Sequence, residues 1–545
     1  MTSHGPISRR AVLTGAGVAT AAVVTGCRSR KSSDDSSTGE GSPVTTPTHR
    51  PFTAVQPDLP GDASGLVPGF YRYPDDPPAI TAAPLPSTDP ITFMTQGQPP
   101  QTALGKRNPW YRAQAEAYGN DFAFQWANFA EYKSKFQVAV AGDDLPELVQ
   151  VSTVAKLPQL LEAKFTDLSD LLAGDAVEQW PSLAAMPTDM WQIPTLGGRI
   201  WGVTQPRPKL SNVVMFNTEV GAQAGITGEV ALDGVEDFIE LCREVTDRGS
   251  DRFALGGEPI DWILPIFNQM FGGPPGWRED ADGTFVHQYE TEEYAQAFEA
   301  VVQIWNEGLC HPQSLTSPDL RPNWYQSNVT AMQVLAYEFA GGSLFREPVG
   351  QILDLPLADG SGRAPSYLKP AGYGAFVGIS KQASQQRVRE CLDLINAFAA
   401  PFGSSEYLLN RYGVEGTHYT MSDGVPTVDE DNSARHANSS SYYLGNPYTV
   451  VLFHPGHDDV TDELHAYLQE RLPDAVGDPT WELYSEWVSG NVAAAQRDVR
   501  DAMTGVLRGD SSMDAFTTAV EAFTADFADR ARDEYARARE NGGIA

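Results

Sequence analysis

The chain has 545 residues and is strongly acidic, because 38 Lys and Arg against 71 Asp and Glu leave a formal net charge of −33. This balance excludes nucleic acid as an expected partner, since nucleic-acid binding needs clustered Lys and Arg. Hydrophobic residues make up 41% of the chain, enough for a sizeable core. The length fits about three domains, or equally two large lobes.

Residues 1–26 have the pattern of an export signal. Arg9 and Arg10 precede a charge-free run that is too short and too weakly apolar to span a bilayer, which takes about 20 predominantly apolar residues. The run ends in Val24–Cys27, which resembles the lipobox where lipoproteins are cleaved and diacylated. We therefore expect a twin-arginine lipoprotein signal peptide and a lipid on Cys27. This lipid would anchor the exported protein at the outer face of the cytoplasmic membrane.

The segment 27–88 is rich in Ser, Thr, Pro, Gly and Asp and shows almost no apolar periodicity. Such a composition does not bury enough apolar surface to fold. We therefore predict a disordered tether between the lipidated cysteine and the folded body.

The folded body begins at Pro90 with alternating strand and helix patterns. Helices are predicted from Pro109 to Gly119 and from Phe129 to Ala141, the second ended by Gly142. Apolar runs predict strands before, between and after these helices, at 91–95, 122–126 and 147–151. This alternation indicates a parallel sheet wound with helices.

Later segments continue the mixed pattern. Apolar residues at helical spacing predict a helix over 234–247, and Thr291 caps another that ends at Gly308. A strand at 375–379 precedes a helix at 384–400, and the C-terminal region is mainly helical, including 514–540.

The cysteines other than Cys27 are too few for a disulfide framework. Cys242 and Cys391 lie in helical patterns and Cys310 follows a helix end. We interpret them mainly as small buried hydrophobic residues, with one disulfide as the alternative.

Five segments in a fixed order carry a resemblance to a known family: Ala141–Val149, Gly197–Val203, Phe271–Trp277, Trp305–Leu309 and Tyr412–Tyr419. The chain resembles the family 1 extracellular solute-binding proteins, the lipid-anchored receptors of carbohydrate ABC importers, and in particular their large oligosaccharide-type members. The resemblance implies an α/β, two-lobe periplasmic-binding-protein-like fold of type II. Each lobe would be a wound sheet flanked by helices, and a hinge would join the two.

The resemblance also implies how the lobes divide the chain and what they do. The first lobe would comprise 89–206 plus 371–418, and the second 207–370 plus 419–545. A carbohydrate would bind between them, and the permease subunits of an ABC importer would receive it. The implied protein is a monomer with neither a cofactor nor catalytic activity.

Ligands of open wound sheets bind beyond the carboxyl ends of the strands, which selects residues in the first lobe. Sugars need flat apolar faces for their C–H surfaces and amide or acid groups for their hydroxyls. The strand ends supply both in Gln96, Trp126, Asn128 and Ser152. Further candidates are Trp262, Trp277, Trp324, Tyr373, Glu415 and His418. Each has a structural alternative, since a tryptophan near a strand end is more often packed in the core.

No metal site is expected. Alginate-type relatives carry a calcium loop after a second-lobe helix, but Thr246–Arg252 places basic residues where the ligands should be. The segment Asp280–Gly283 is faintly similar to a calcium loop, but Arg278 occupies the first acidic position, so we interpret it as a hairpin turn.

The main functional alternative is a surface-anchored carbohydrate-active enzyme, because 71 acidic residues make paired carboxylates easy to find. The chain has no G-x-S-x-G, H-E-x-x-H or phosphate-binding-loop motif. A peptide-binding receptor of the same fold and a sensor partner that does not serve transport also remain open.

Overall fold

The computed structural model of the protein describes residues 44–81, 89–154, 156–370, 372 and 374–541. The predicted signal peptide, Cys27 and Tyr373 lie outside these residues. The strands are β1 Ile91–Gln96, β2 Phe122–Ala127, β3 Leu148–Val151, β4 Thr195–Leu196, β5 Arg199–Ile200, β6 Val203–Thr204, β7 Asn212–Asn217, β8 Phe253–Leu255, β9 Trp277–Glu279, β10 Phe285–His287, β11 Thr330–Ala336, β12 Gly350–Ile352, β13 Phe376–Ile379, β14 Tyr419–Ser422 and β15 Val425–Val428.

The α-helices are α1 Pro109–Tyr118, α2 Phe129–Gly142, α3 Leu157–Lys164, α4 Ser169–Leu172, α5 Pro181–Ala184, α6 Thr218–Gln223, α7 Val235–Val245, α8 Leu264–Met270, α9 Glu292–Asn306, α10 Arg321–Gln326, α11 Ala340–Phe345, α12 Gln385–Phe398, α13 Ser405–Tyr412, α14 Glu430–His436, α15 Asp458–Arg471, α16 Glu486–Arg508, α17 Met513–Phe523 and α18 Asp529–Glu540.

Local signals place the ends of the first helices. The Asn108 side chain accepts the Tyr111 N–H at the start of α1, and Gly119 ends that helix with φ 67°. The end of α2 differs from the prediction, because Gly142 is still helical and Asp143 adopts the left-handed conformation, with φ 55°. Aspartate is one of the few non-glycine residues that enter this region readily.

The first lobe is built on a five-stranded sheet with the order β2–β1–β3–β13–β6. The prediction that the first three strands are parallel is confirmed, whereas β13 runs antiparallel to β3 and β6. Buried residues such as Phe93 and Val149 belong to two separate core clusters, which accounts for the apolar runs in these strands. The carboxyl ends of β1, β2 and β3 therefore meet at one edge.

The second lobe is built on a four-stranded sheet with the order β12–β7–β11–β8. Its core contains Phe238 of α7, Phe267 of α8 and Phe298 of α9. The C-terminal helices α16, α17 and α18 pack on the same core. The predicted helix cap is confirmed, since the Thr291 side chain accepts the Tyr294 N–H at the start of α9.

The chain passes from the first sheet to the second between Thr204 and Asn212 and returns between Ile352 and Phe376. Its last passage lies later than the predicted boundary at 418 and 419. Leu444 is still part of the first-lobe core, whereas Leu452 belongs to a cluster with residues of β7, α11 and α15. The segment between β14 and Leu444 therefore belongs with the first lobe.

The segment 44–81 corrects the prediction of a disordered tether, because it packs along the body; we call it the N-terminal strap. Both of its ends bond to the first lobe. The Thr48 N–H donates to the Gly174 carbonyl at 2.9 Å, and the Thr81 N–H donates to the Glu406 carboxylate at 2.9 Å.

The middle of the N-terminal strap contacts the second lobe. Val67 is buried in a second-lobe cluster, and Tyr71 Oη donates to the Asp462 carboxylate at 2.5 Å. Phe70 and Tyr73 are 7% and 2% exposed. The prediction was wrong here because it relied on apolar periodicity. The strap has an irregular backbone, which buries these side chains without any repeat in the sequence.

The three cysteines other than Cys27 are buried with free thiols, as the sequence indicated. Burial raises the pKa of the Cys310 and Cys391 thiols to about 12. In the part of the chain that the structure describes, no helix has both the length and the apolar character needed to cross a bilayer.

Replacing Phe70 or Tyr73 of the N-terminal strap by Ala is expected to lower the free energy of unfolding by about 3–5 kcal/mol, because a large cavity replaces a packed ring. Urea unfolding measures this loss. Asp76→Ala, at an exposed position of the same strap, is the control and should change stability by less than about 0.5 kcal/mol. If Phe70→Ala were as stable as this control, the packed strap would be contradicted.

Candidate functional site

Two residues predicted at the strand ends lie together. Trp126 Nε1 donates to Ser440 Oγ, and Ser440 Oγ donates to the Gln96 carbonyl, each at 3.2 Å. The Gln96 side-chain amide donates to Tyr443 Oη at 3.3 Å. This edge of the first sheet therefore combines an indole, an amide and a phenol, which is the mixture expected for a sugar.

Asn128 and Ser152 follow β2 and β3 at the same edge. Asn128 is exposed, and its side-chain oxygen accepts the Glu131 N–H at 2.9 Å at the start of α2. This oxygen therefore caps the helix. Ser152 is half-buried, and its role as a ligand contact stays a prediction, as does that of Tyr373.

The second-lobe tryptophans do not form a common surface. Trp277 is 5% exposed and packs edge-on against His287 with 4.9 Å between ring centroids. Trp324 is 7% exposed and stacks on His311 at 3.9 Å. Core packing occupies both rings, which corrects their assignment to the ligand cleft.

Trp262 is half-buried and differs from the other two. The Arg321 guanidinium carbon lies 3.5 Å from the centroid of its ring, so a cation covers one face. The side chain also packs against the second-lobe core, and its contact with a ligand stays a prediction.

Glu415 and His418 do not face a common cavity either. Glu415 is exposed, whereas His418 is fully buried. The His418 Nδ1 accepts the Val414 N–H at 3.0 Å, and its ring packs against Trp110 at 5.0 Å between centroids. Burial, followed by the neighbouring His436, lowers the pKa of His418. His418 therefore contributes to the packing around Trp110.

A cavity of about 700 Å³ lies between the lobes; we call it the interlobe cavity. Its first-lobe wall comes from α13, β15 and α14, and its second-lobe wall from the segment 337–346. The volume is within the range of about 300–1,000 Å³ usual for small-molecule sites. Nine aromatic residues line it: Trp110, Tyr337, Phe339, Phe345, Tyr407, Tyr412, Tyr442, Tyr448 and Phe453.

Arg411, near the end of α13, is the principal cation of the first-lobe wall. Its guanidinium carbon lies 5.0 Å from the ring centroid of Tyr448 and 5.9 Å from those of Tyr412 and Tyr442. Arg411 Nη1 also donates to Tyr442 Oη at 3.4 Å. The helix thus holds a half-buried cation among three phenols that can act as acceptors.

A buried ion cluster lies at the chain passages between the lobes and reaches the cavity through Glu338. The Glu338 side chain, only 2% exposed, accepts from Arg207 at 2.7 Å and from Lys369 at 2.6 Å. Arg207 lies on the first passage between the sheets, and Lys369 lies on the return passage. Burial lowers the pKa of the Lys369 amine, against the opposing effect of Glu338. This cluster fixes the three segments relative to one another.

An ion pair between the lobes and a histidine also belong to the polar lining. Arg346 of the second lobe lies 3.5 Å from Glu430 of the first, and both side chains are exposed. His454 is half-buried beside Phe345, and partial burial, with His457 and Arg411, lowers its pKa to about 4. His454 is therefore neutral near pH 7, where it can donate and accept.

Sequence reasoning missed most of this lining. One sequence signal could have identified Arg411: it directly precedes the segment Tyr412–Tyr419, which carried part of the resemblance. Tyr442, Tyr443 and Tyr448 also cluster in the sequence. The strand-end rule overlooked these residues because they lie on helices and irregular segments, which only tertiary packing brings together.

Within the described residues, no group of three or more His, Cys, Asp and Glu side chains is arranged to hold a metal. Asp247 binds its own turn, accepting from the Gly249 N–H at 3.0 Å and the Ser250 hydroxyl at 2.6 Å. The predicted hairpin turn is confirmed, since Asp280–Gly283 joins the antiparallel strands β9 and β10.

Similarity to known proteins was found only among solved structures. No family model matches the chain, and no curated protein matches it. The alginate-binding protein AlgQ2 without calcium has 13% identity and a TM-score of 0.60, covering 83% of this chain and 99% of that one.

Two structures from Streptococcus pneumoniae are also similar. The N-glycan transport solute-binding protein NgtS in complex with Man1GlcNAc has 14% identity and a TM-score of 0.58, covering 83% of this chain and 97% of that one. The ABC-transporter substrate-binding protein FusA in complex with kestose has 12% identity and a TM-score of 0.58, with 83% and 100% covered. The predicted fold is confirmed: the chain has the two-lobe, periplasmic-binding-protein-like α/β fold of these solute-binding proteins.

Proposed function

We propose that the protein is an extracytoplasmic solute-binding receptor that captures an oligosaccharide between its lobes and delivers it to an ABC importer. The observation that carries this proposal is the interlobe cavity, lined by nine aromatic residues contributed by both lobes. Aromatic faces cover the C–H surfaces of sugar rings, and the phenols, Arg411 and His454 can bond to hydroxyls. Similarity to structures that bind alginate, an N-glycan fragment and kestose supports it.

The proposed mechanism is a shift between open and closed arrangements of the lobes. A ligand that contacts Tyr442 on the first lobe and Phe339 on the second binds the closed arrangement more tightly and so increases its population. The closed receptor then presents both lobes to the permease subunits. We propose that it acts as a monomer, since one chain supplies both walls.

Binding rather than catalysis is proposed for the interlobe cavity because its acidic groups are engaged. Glu338 is bonded to two cations, and Glu430 is paired with Arg346. A glycosidase needs one carboxyl group to donate a proton and another to act as base or nucleophile. Product analysis after incubation with oligosaccharides tests this point, and turnover would favour the enzyme alternative. Peptides assayed beside the sugars test the peptide-receptor alternative.

We further propose that the protein is exported by the twin-arginine route and anchored through lipidated Cys27 at the outer face of the cytoplasmic membrane. Acyl chains contribute about 0.8 kcal/mol per buried methylene, so more than one chain gives stable anchoring.

Replacing Cys27 by Ser is expected to abolish lipidation and move the protein from the membrane fraction to the soluble one. Replacing Arg9 and Arg10 by Lys is expected to block export and leave uncleaved precursor in the cytoplasm. Cell fractionation and intact-mass measurement report both changes. If Cys27→Ser remained in the membrane fraction with an unchanged mass, the lipid anchor would be contradicted.

Replacing Tyr442 or Phe339 by Ala is expected to weaken binding of an oligosaccharide by at least about tenfold, because each variant removes one aromatic wall of the interlobe cavity. A thermal-shift screen first identifies a stabilising oligosaccharide, and calorimetry then measures affinity. Trp481→Ala removes an aromatic residue that is 41% exposed and outside the cavity, and it is the matched control. The proposal fails if no oligosaccharide stabilises the protein, or if the three variants bind equally.

A further inference from the structure

The charge of Arg411 is not balanced within the interlobe cavity. Its described contacts are a hydrogen bond to Tyr442 and three phenol rings, and among the described residues no carboxylate lies within salt-bridge distance of it. Neutral phenols attract a cation but do not neutralise it. A half-buried guanidinium with five N–H donors and no anion is unusual, because burying a charge is costly unless it is paired.

The other charged groups of the cavity do not supply the missing anion. The Glu430 carboxylate pairs with Arg346, and Glu338 is shared between Arg207 and Lys369. The charged side chains that line the cavity are thus Arg346, Arg411, Glu338 and Glu430, and both carboxylates are bonded to cations other than Arg411. Arg411 is therefore the one Lys or Arg side chain in this lining that has no carboxylate partner among the described residues.

The chain as a whole is strongly acidic, with a formal net charge of −33. A surface of that sign repels anions, so an anionic ligand would be admitted only where a cation offsets the repulsion. The planar guanidinium of Arg411 suits a carboxylate, which it can bind through two parallel N–H···O bonds. The surrounding aromatic rings lower the local dielectric constant, which strengthens such a pair.

We infer that the ligand of the interlobe cavity carries a carboxylate, as an acidic oligosaccharide built from uronic-acid-type sugars does, and that Arg411 pairs with it. This inference rests on the proposed function, since it names the class of oligosaccharide that the same cavity takes. The sugar rings stack on the aromatic walls, and the carboxylate replaces the counter-ion that the protein does not provide. Arg411 is thus a specificity-determining residue.

The experiment compares acidic and neutral probes of matched length on the exported form of the chain. Trigalacturonate and trimannuronate are titrated beside their methyl esters, which keep the sugar rings but lose the charge, and beside neutral trisaccharides. Calorimetry is expected to show that an acidic probe binds most tightly and that its methyl ester binds at least about tenfold more weakly. The affinity should also fall as sodium chloride is raised.

Variants assign the effect to Arg411. Arg411→Gln is expected to weaken binding of the acidic probe by about 10- to 100-fold, which is the loss expected when a hydrogen bond to a charged group is removed. Binding of the neutral probes should change little. Arg411→Lys keeps the charge but loses the two-pronged geometry, and it should bind with intermediate affinity. Arg389→Gln is the control, because Arg389 also lies over an aromatic ring, Trp180, but outside the cavity. Thermal unfolding without ligand verifies that every variant is folded.

The outcomes separate this inference from the proposed function. If a neutral trisaccharide binds most tightly, or if Arg411→Gln binds the acidic probe as tightly as Arg389→Gln does, the inference is overturned while the receptor function stands. If neither acidic nor neutral oligosaccharides bind at all, the proposed function is overturned, and the inference with it.

Discussion

The buried carboxylate of Glu338 is the interaction on which the arrangement of the lobes depends. It holds Arg207 and Lys369, which lie on the two chain passages between the sheets, and it belongs to the segment that follows β11. Removing one partner of such a cluster leaves an uncompensated buried charge, which costs about 3–5 kcal/mol. Glu338 also lines the interlobe cavity. The same carboxylate therefore fixes the hinge geometry and one wall of the candidate site.

The walls of the cavity offer a ligand two kinds of contact, namely flat aromatic faces and charged side chains. The aromatic residues give flat apolar surfaces that suit many sugars, whereas the Lys, Arg, Asp and Glu side chains of the lining are only four. Arg411 is held by its helix among three phenols, and His454 is neutral near pH 7 because burial lowers its pKa. Affinity would come largely from the rings. Selectivity would come from Arg411, the one Lys or Arg in the cavity lining that has no carboxylate partner among the described residues.

The sequence predicted those elements of the fold that have a regular pattern of apolar residues. The parallel strands of the first lobe and the meeting of Gln96 with Trp126 followed from the alternation of strands and helices. The N-terminal strap and the place of Arg411 did not follow, because an irregular segment and a helix end show no pattern that tells where they pack. Trp277 was predicted to contact the ligand because of the segment in which it lies. Its ring is instead buried against its own hairpin and the last helix, which the sequence pattern did not indicate.

The central claim is that one ligand bridges the two lobes and favours their closed arrangement. Small-angle X-ray scattering of the protein, with and without a saturating oligosaccharide whose binding calorimetry has established, tests it most directly. The account predicts a smaller radius of gyration in the bound state. It also predicts that this compaction is lost in Phe339→Ala, which removes a ring of the second-lobe wall. An unchanged radius of gyration with the ligand verifiably bound would contradict the account.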